Sequence, residues 1–233
     1  MDPKTNTLIR AGVPSTVNPF DKYALEAAVQ LREALGGTVT AMTMGPAQAA
    51  QALRECYALG ADRMVLVSDR CFGGADTYAT SYTLAQAVRA LGGFDLILCG
   101  RQAIDGDTAQ VGPQVAEKLG LPQVTYAEEI LEVREGALVI KRRLEHGTEV
   151  VECPIPAVVT VNASAAECRP RNAKRVMTCK FALAKSEIAA APDSPAAKRA
   201  AAKEYLQIVE WAAADVNPDP QQLGLAGSPT KVK

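Results

Sequence analysis

Between residues 21 and 119, short apolar runs alternate with longer amphipathic ones, and this alternation restricts the possible folds more than any other feature of the chain. Thr38 to Met44, Arg63 to Val67 and Phe94 to Cys99 read as strands. The run from Asp21 to about Leu35, Pro46 to Leu59, Thr77 to Leu91 and Val115 to Leu119 read as helices. Strands and helices joined by short glycine-containing connections imply parallel strands with right-handed helical crossovers on both faces. The predicted fold class is therefore α/β, with a doubly wound, mainly parallel, Rossmann-like sheet, the kind that binds nucleotides at the carboxyl ends of its strands. Asp21 is expected to N-cap the first helix, with Phe20 and Leu25 as a hydrophobic staple. Leu25, Ala28, Leu31 and Leu35 then share one face, and Gly36-Gly37 ends the helix.

Beyond Leu121-Pro122 the period changes to two. Val124 to Val133 and Ala137 to Leu144 flank the turn Arg134-Glu135-Gly136, and Thr148 to Glu152 and Ala157 to Val161 follow. This predicts an antiparallel extension of the sheet and an α/β nucleotide-binding domain over residues 1–165. Residues 166–233 are expected to form an extended C-terminal basic arm and a partner-contacting tail. From Arg169 to Lys203 there are nine Lys/Arg against two Asp/Glu, which reads as a solvated face. The tail is rich in Gly and Pro yet carries Trp211, so it is expected to pack against its own domain or another subunit.

Composition removes several function classes. A chain of 233 residues with 48% hydrophobic content and formal charge −1 is globular, and no run approaches the roughly 20 apolar residues of a membrane span. With Asp2 and Lys4 near its start instead of an apolar signal core, the chain is expected to be cytoplasmic. The basic arm is nearly devoid of aromatic residues, which argues against nucleic acid as a partner. Six cysteines without a C-x-x-C pair read as reduced thiols. The single histidine, His146, sits in the turn-like Glu145-His146-Gly147, so neither a metal ligand nor a catalytic residue is expected.

The candidate binding residues lie at helix starts and strand ends. The loop Gly100-Arg101-Gln102-Ala103-Ile104-Asp105-Gly106-Asp107-Thr108-Ala109-Gln110-Val111-Gly112 joins a strand to a helix and is neither G-x-G-x-x-G nor a Walker A loop. Asn18-Pro19-Phe20-Asp21, Met44-Gly45-Pro46 and Phe72 to Ser81 are expected to converge on it, offering free N–H groups to an anionic nucleotide. Asp76, Thr77, Thr80 and Ser81 suit ring heteroatoms or ribose hydroxyls, although Asp76 also reads as a simple N-cap. Asp107 and Gln110 have capping-box spacing, which assigns phosphate contacts to the loop amides while Asp107 caps.

These residues resemble, in the same order, the β subunits of electron transfer flavoproteins. The resemblance rests on the loop at 100–107, Asn18 to Asp21, Gly45-Pro46-Ala47-Gln48, Gly60-Ala61-Asp62-Arg63, and a signature from Ile140 through Arg142, Glu145, Glu149, Val151 and Pro156 to Val158-Val159-Thr160, with His146 where an acidic residue or glycine is usual. It covers nearly the whole chain. Similar family members begin with a further strand that belongs to the central sheet and lines the nucleotide pocket, and that strand is expected to be missing here. Glu167-Cys168-Arg169-Pro170-Arg171 matches only loosely the segment that leads into the family's dehydrogenase-recognising loop. The resemblance implies that Asn18, Pro19, Phe20, Asp21, Met44 and Gly100 to Val111 surround adenosine and phosphates. Residues 74–83 resemble the segment that holds the isoalloxazine ring in the electron-bifurcating branch, so FAD is the implied cofactor, with AMP the alternative. An α subunit carrying another FAD, NADH as donor, and an acyl-CoA dehydrogenase-type partner with ferredoxin or flavodoxin as acceptors follow from the same branch. A stand-alone nucleotide-binding regulatory domain is the rival from a different class.

Overall fold

Residues 15–230 are described by a computed structural model, and they alternate as the sequence predicts. In chain order come α1 (Pro19–Leu35), β1 (Thr40–Met44), α2 (Ala50–Leu59), β2 (Arg63–Val67), α3 (Thr77–Leu91), β3 (Leu96–Gly100) and α4 (Val111–Leu119). Next are β4 (Gln123–Arg134), β5 (Ala137–Leu144), β6 (Gly147–Pro154) and β7 (Ala157–Val161). The remainder forms α5 (Ala173–Cys179), β8 (Leu183–Ala184), α6 (Lys185–Ala190), α7 (Pro195–Ala201), β9 (Gln207–Trp211) and α8 (Ala213–Val216).

The strands form two sheets. One is wholly parallel with order β1-β2-β9-β8; the other, β3-β7-β4-β5-β6, is parallel through β4 and antiparallel beyond it. β2 explains the layering. Its Met64 and Leu66 pack with Ala50 and Leu53 of α2 and with Ile208, while Val65 and Val67 pack on the other face with Phe72, Tyr82 and Ala87. A strand buried on both faces needs helices on both, which is the doubly wound arrangement. β7 is likewise buried throughout, and its Ala157, Val159 and Val161 join Val124, Leu138 and Ile140 in the core of the second sheet. Among the described residues no strand pairs with the outer edge of β1 or of β3. α1 packs against β3 and β7 and against α2, and α3 packs against α4, so helix contacts link the two sheets.

Several expectations are corrected. α1 starts at Pro19, earlier than predicted, with Asn18 at the N-cap position, because proline at the first helical position supplies a preset φ and has no N–H to satisfy. Phe20 and Leu25 therefore cannot form the staple, and the fully buried face of α1 is Ala24, Glu26 and Val29, with Leu35 exposed. The helix expected from Pro46 begins with a 3-10 turn over Ala47–Ala49. Asp2 and Lys4 lie outside the described residues.

The segment after residue 166 is folded onto the core and is not uniformly solvated. β9 lies parallel beside β2, and Trp211 packs in the cluster with Val65 and Val67, so the tail packs on its own domain. Arg169 forms two-pronged ion pairs with Glu26, at 2.8 and 3.0 Å, and with Glu33, at 2.6 and 3.0 Å. Arg175 donates to the Ala61 carbonyl at 2.6 Å and pairs with Asp62 at 3.3 Å. Both arginines are consumed by acids and carbonyls of residues 26–62. Burial acts to raise the Glu26 carboxyl, but hydrogen bonds from Arg169 and Gln30 outweigh it and hold the group below its ordinary 4.5. A carboxylate so lowered contributes stability above its ordinary value, and the contribution is lost as pH falls through the folded value. Arg169→Leu strands Glu26 and is expected to cost about 3 kcal/mol at neutral pH in urea denaturation. The deficit relative to the parent protein should shrink once the pH falls below the carboxylate range.

Candidate functional site

The carboxyl end of β3 meets the amino end of α1, and the contact is close enough to require glycine. A Cβ on Gly100 would lie 2.6 Å from the Phe20 carbonyl carbon and 2.7 Å from the Asp21 nitrogen. The Gly100 N–H donates to the Asp21 carboxylate at 2.7 Å. Asp21 is thus a bridge between strand and helix instead of the predicted cap. Asn18, at the cap position, makes no side-chain cap bond; its amide donates to the Gln102 carbonyl at 2.9 Å and to Asp21 at 3.0 Å. Asn18, Asp21, Gly100 and Gln102 are brought together, and Pro19 starts the helix that carries Asp21.

Phe20 and Arg101 form the next pair, the guanidinium standing 4.9 Å from the ring centroid. The Arg101 backbone N–H donates to Val161, and its side chain reaches Asn162 at 3.5 Å. Two polar atoms at this junction are buried with no hydrogen-bond partner among the described residues, the acceptor Asn18 Oδ1 and the donor Arg101 Nε. Buried polar atoms are rarely left unpaired, which sets these two apart.

Ala103, Ile104, Asp105, Gly106, Asp107 and Thr108 are exposed. Asp107 and Ala109 both hold φ at 53°, in the left-handed region that non-glycine residues seldom occupy. Asp107 accepts from the Gln102 amide and does not cap, because α4 begins only at Val111 with Gln110 preceding it. Gln110 turns instead to α3, accepting from the Thr77 hydroxyl at 2.9 Å, and one turn further along both helices Ser81 donates to Gln114 at 3.0 Å. The two bonds repeat at i, i+4 on each helix, so they form a ladder joining the loop to the start of α3. Gly112 lies inside α4, where a Cβ would come within 2.8 Å of Cys99 Sγ and Thr160 Cγ2. Its purpose is close packing of α4 on the sheet, not a turn.

Asp76 caps α3 by accepting from Ala79 N–H at 3.0 Å. Its second oxygen accepts from Thr230 N–H at 3.1 Å and Thr230 Oγ1 at 2.7 Å. Burial acts to raise this carboxyl, and the bonds from Thr230 and Ala79 overcome it and hold it below its ordinary value. Met44 is half-buried against the cluster of Val65, Val67, Phe72 and Tyr82, and Thr80 donates its N–H to the Asp76 carbonyl at 2.9 Å. Neither makes a hydrogen bond to the loop at 100–110. Sequence reading missed Asn162, Gln114, Ser228 and Thr230; the i+4 repeat of Gln110 and Gln114 opposite Thr77 and Ser81 was the available signal for one of them. Burial pushes the Cys56 and Cys99 thiols up to about 12, which removes them as nucleophiles. His146 lies in the turn between β5 and β6.

A fold of this class, with its close strand-to-helix junction, agrees with the relationships of the chain. Residues 5–186 match the electron transfer flavoprotein domain. The chain is 44% identical over 232 residues to the electron transfer flavoprotein subunit beta of Thermoanaerobacterium thermosaccharolyticum, covering 100% of this chain and 80% of that protein. It is 44% identical over 233 residues to the caffeyl-CoA reductase-Etf complex subunit CarD of Acetobacterium woodii, covering 100% of this chain and 79% of CarD. It is also 41% identical over 238 residues to protein FixA of Bradyrhizobium diazoefficiens, covering 99% and 74%. The chain belongs to the electron transfer flavoprotein β-subunit family, and its function is electron transfer. Among the described residues no helix is long and apolar enough to cross a membrane. Gly100→Ala forces β3 and α1 apart and is expected to cost about 1–3 kcal/mol in thermal or urea denaturation. Gly106→Ala, where no atom lies within 4 Å of the added Cβ, should leave stability nearly unchanged.

Proposed function

We propose that this chain binds FAD and, paired with an α subunit that carries another FAD, divides the two electrons of NADH between two acceptors. One electron passes through the α subunit to an acyl-CoA dehydrogenase-type partner, and the other goes to ferredoxin or flavodoxin. The observation that carries FAD over AMP is the Thr77–Gln110 hydrogen bond of 2.9 Å. It joins the adenosine-diphosphate end of the site to residues 74–83, the segment resembling a ring-holding one, so a single extended ligand can span both. The orphaned Asn18 Oδ1 and Arg101 Nε suit a nucleotide, which offers amino or hydroxyl hydrogens to the first and an acceptor oxygen to the second. The name of the similar CarD, a subunit of a caffeyl-CoA reductase-Etf complex, supports a CoA-ester-handling partner.

On this reading, Asn18, Pro19, Phe20, Asp21, Met44 and Gly100 to Val111 surround adenosine and phosphates. Thr77 and Thr80 face the ring end, while Asp76 acts through the helix it caps. Bound FAD supplies both one-electron and two-electron redox chemistry; the protein holds it, orients it and tunes its potential. Arg101 provides fixed positive charge near the phosphates, and the exposed carboxylates of Asp105 and Asp107 point their charge into solvent. No side chain has to move a proton, consistent with the single histidine. The protein is assigned to the cytoplasm.

The complex purified with its α-type subunit is expected to contain two FAD and no AMP. One FAD with one AMP per heterodimer would assign the chain to the non-bifurcating branch. A stable monomer that co-purifies with no α-like subunit would support the stand-alone regulatory reading.

A further inference from the structure

The end of the described chain is folded back over the start of α3, through contacts that a packing tail does not need. Leu225 N–H donates to the Gly73 carbonyl at 3.1 Å. Ser228 Oγ accepts from Asp76 N–H at 2.8 Å and donates to the Gly224 carbonyl at 2.7 Å. Thr230 then gives two hydrogen bonds to the Asp76 carboxylate, one from its N–H and one from its hydroxyl. Gly224, at φ 50°, lies so close to Cys71 and Gly73 that an added Cβ would collide with both carbonyl oxygens. The tail is shaped to fit this one place.

The place is mechanically weak without it. Asp76 follows Gly73-Gly74, and Gly74 holds φ at 74°, a conformation with little side-chain restraint. The Asp76 backbone N–H and the outer carboxylate oxygen are bonded by tail residues, whereas the inner oxygen caps α3. The first turn of α3 is therefore held from inside by its cap and from outside by the tail. Thr77, the next residue, bonds the loop at Gln110. Displacement of the tail leaves Asp76 held by its cap alone and loosens the position of Thr77 beside it.

We infer that Ser228 and Thr230 are positioning residues for the ring end of the flavin site, acting through Asp76 to fix the first turn of α3. This inference rests on the assignment of that turn to the ring end. The test uses the full chain co-purified with its α-type subunit, in the parent form and as Thr230→Val, Thr230→Ser and Ser228→Ala. Three quantities are read: hydrogen exchange at residues 74–79, FAD dissociation, and the visible spectrum with the reduction potential of the β-site flavin. Thr230→Val should raise exchange at residues 74–79, weaken FAD binding about tenfold, as loss of one hydrogen bond to a charged group allows, and shift spectrum and potential. Thr230→Ser should restore the parent values, and Ser228→Ala should produce the same changes in smaller degree, which serves if Thr230→Val does not fold. Faster exchange with unchanged FAD affinity, spectrum and potential would reduce the clasp to a structural tie and overturn the inference. A parent complex holding a single FAD would instead overturn the site assignment itself, and this inference with it.

Discussion

The meeting of Gly100 with the first turn of α1 governs the site. A glycine Cα is the only one that admits the Phe20 and Asp21 backbone at that distance, and the approach lets the Asp21 carboxylate take the Gly100 N–H. A carboxylate accepting a backbone N–H is a strong, charge-assisted bond, and here it closes the gap between a strand end and a helix start. From that contact Asn18 reaches Gln102, Phe20 comes under Arg101, and the loop leaves the sheet in the direction that brings Gln110 to Thr77.

A second constraint acts from the far end of the chain. Arg169 satisfies the buried Glu26, β9 covers the flank of β2, and Thr230 secures Asp76. Each contact joins residues more than 140 positions apart, so closing the loops costs entropy that local structure cannot offset. Stability gained this way is cooperative: the C-terminal segment and the elements before it support one another.

Much of the fold was legible in the residues. β2 appeared at its predicted bounds, and Asp76 does cap α3, because apolar periodicity and capping are local properties. The hairpins after Gln123 were legible for the same reason. Local rules failed at Asp21 and Asp107, both of which look like caps by spacing. Pro19 moved the helix start away from the first, and the left-handed turn at Asp107 and Ala109 moved it away from the second. The basic composition of residues 169–203 pointed to solvent, yet Arg169 and Arg175 meet acids placed by α1 and by the turn before β2.

The sequence by itself determined the alternation of strands and helices and the family, because these depend on residue types at short spacing. Tertiary structure alone decided that the strands divide into two sheets among the described residues, that Asn18 and Arg101 each keep a buried polar atom free, and that the tail clasps α3. Those outcomes depend on which distant segments come within hydrogen-bonding distance, and no local periodicity encodes a distance between residues 76 and 230.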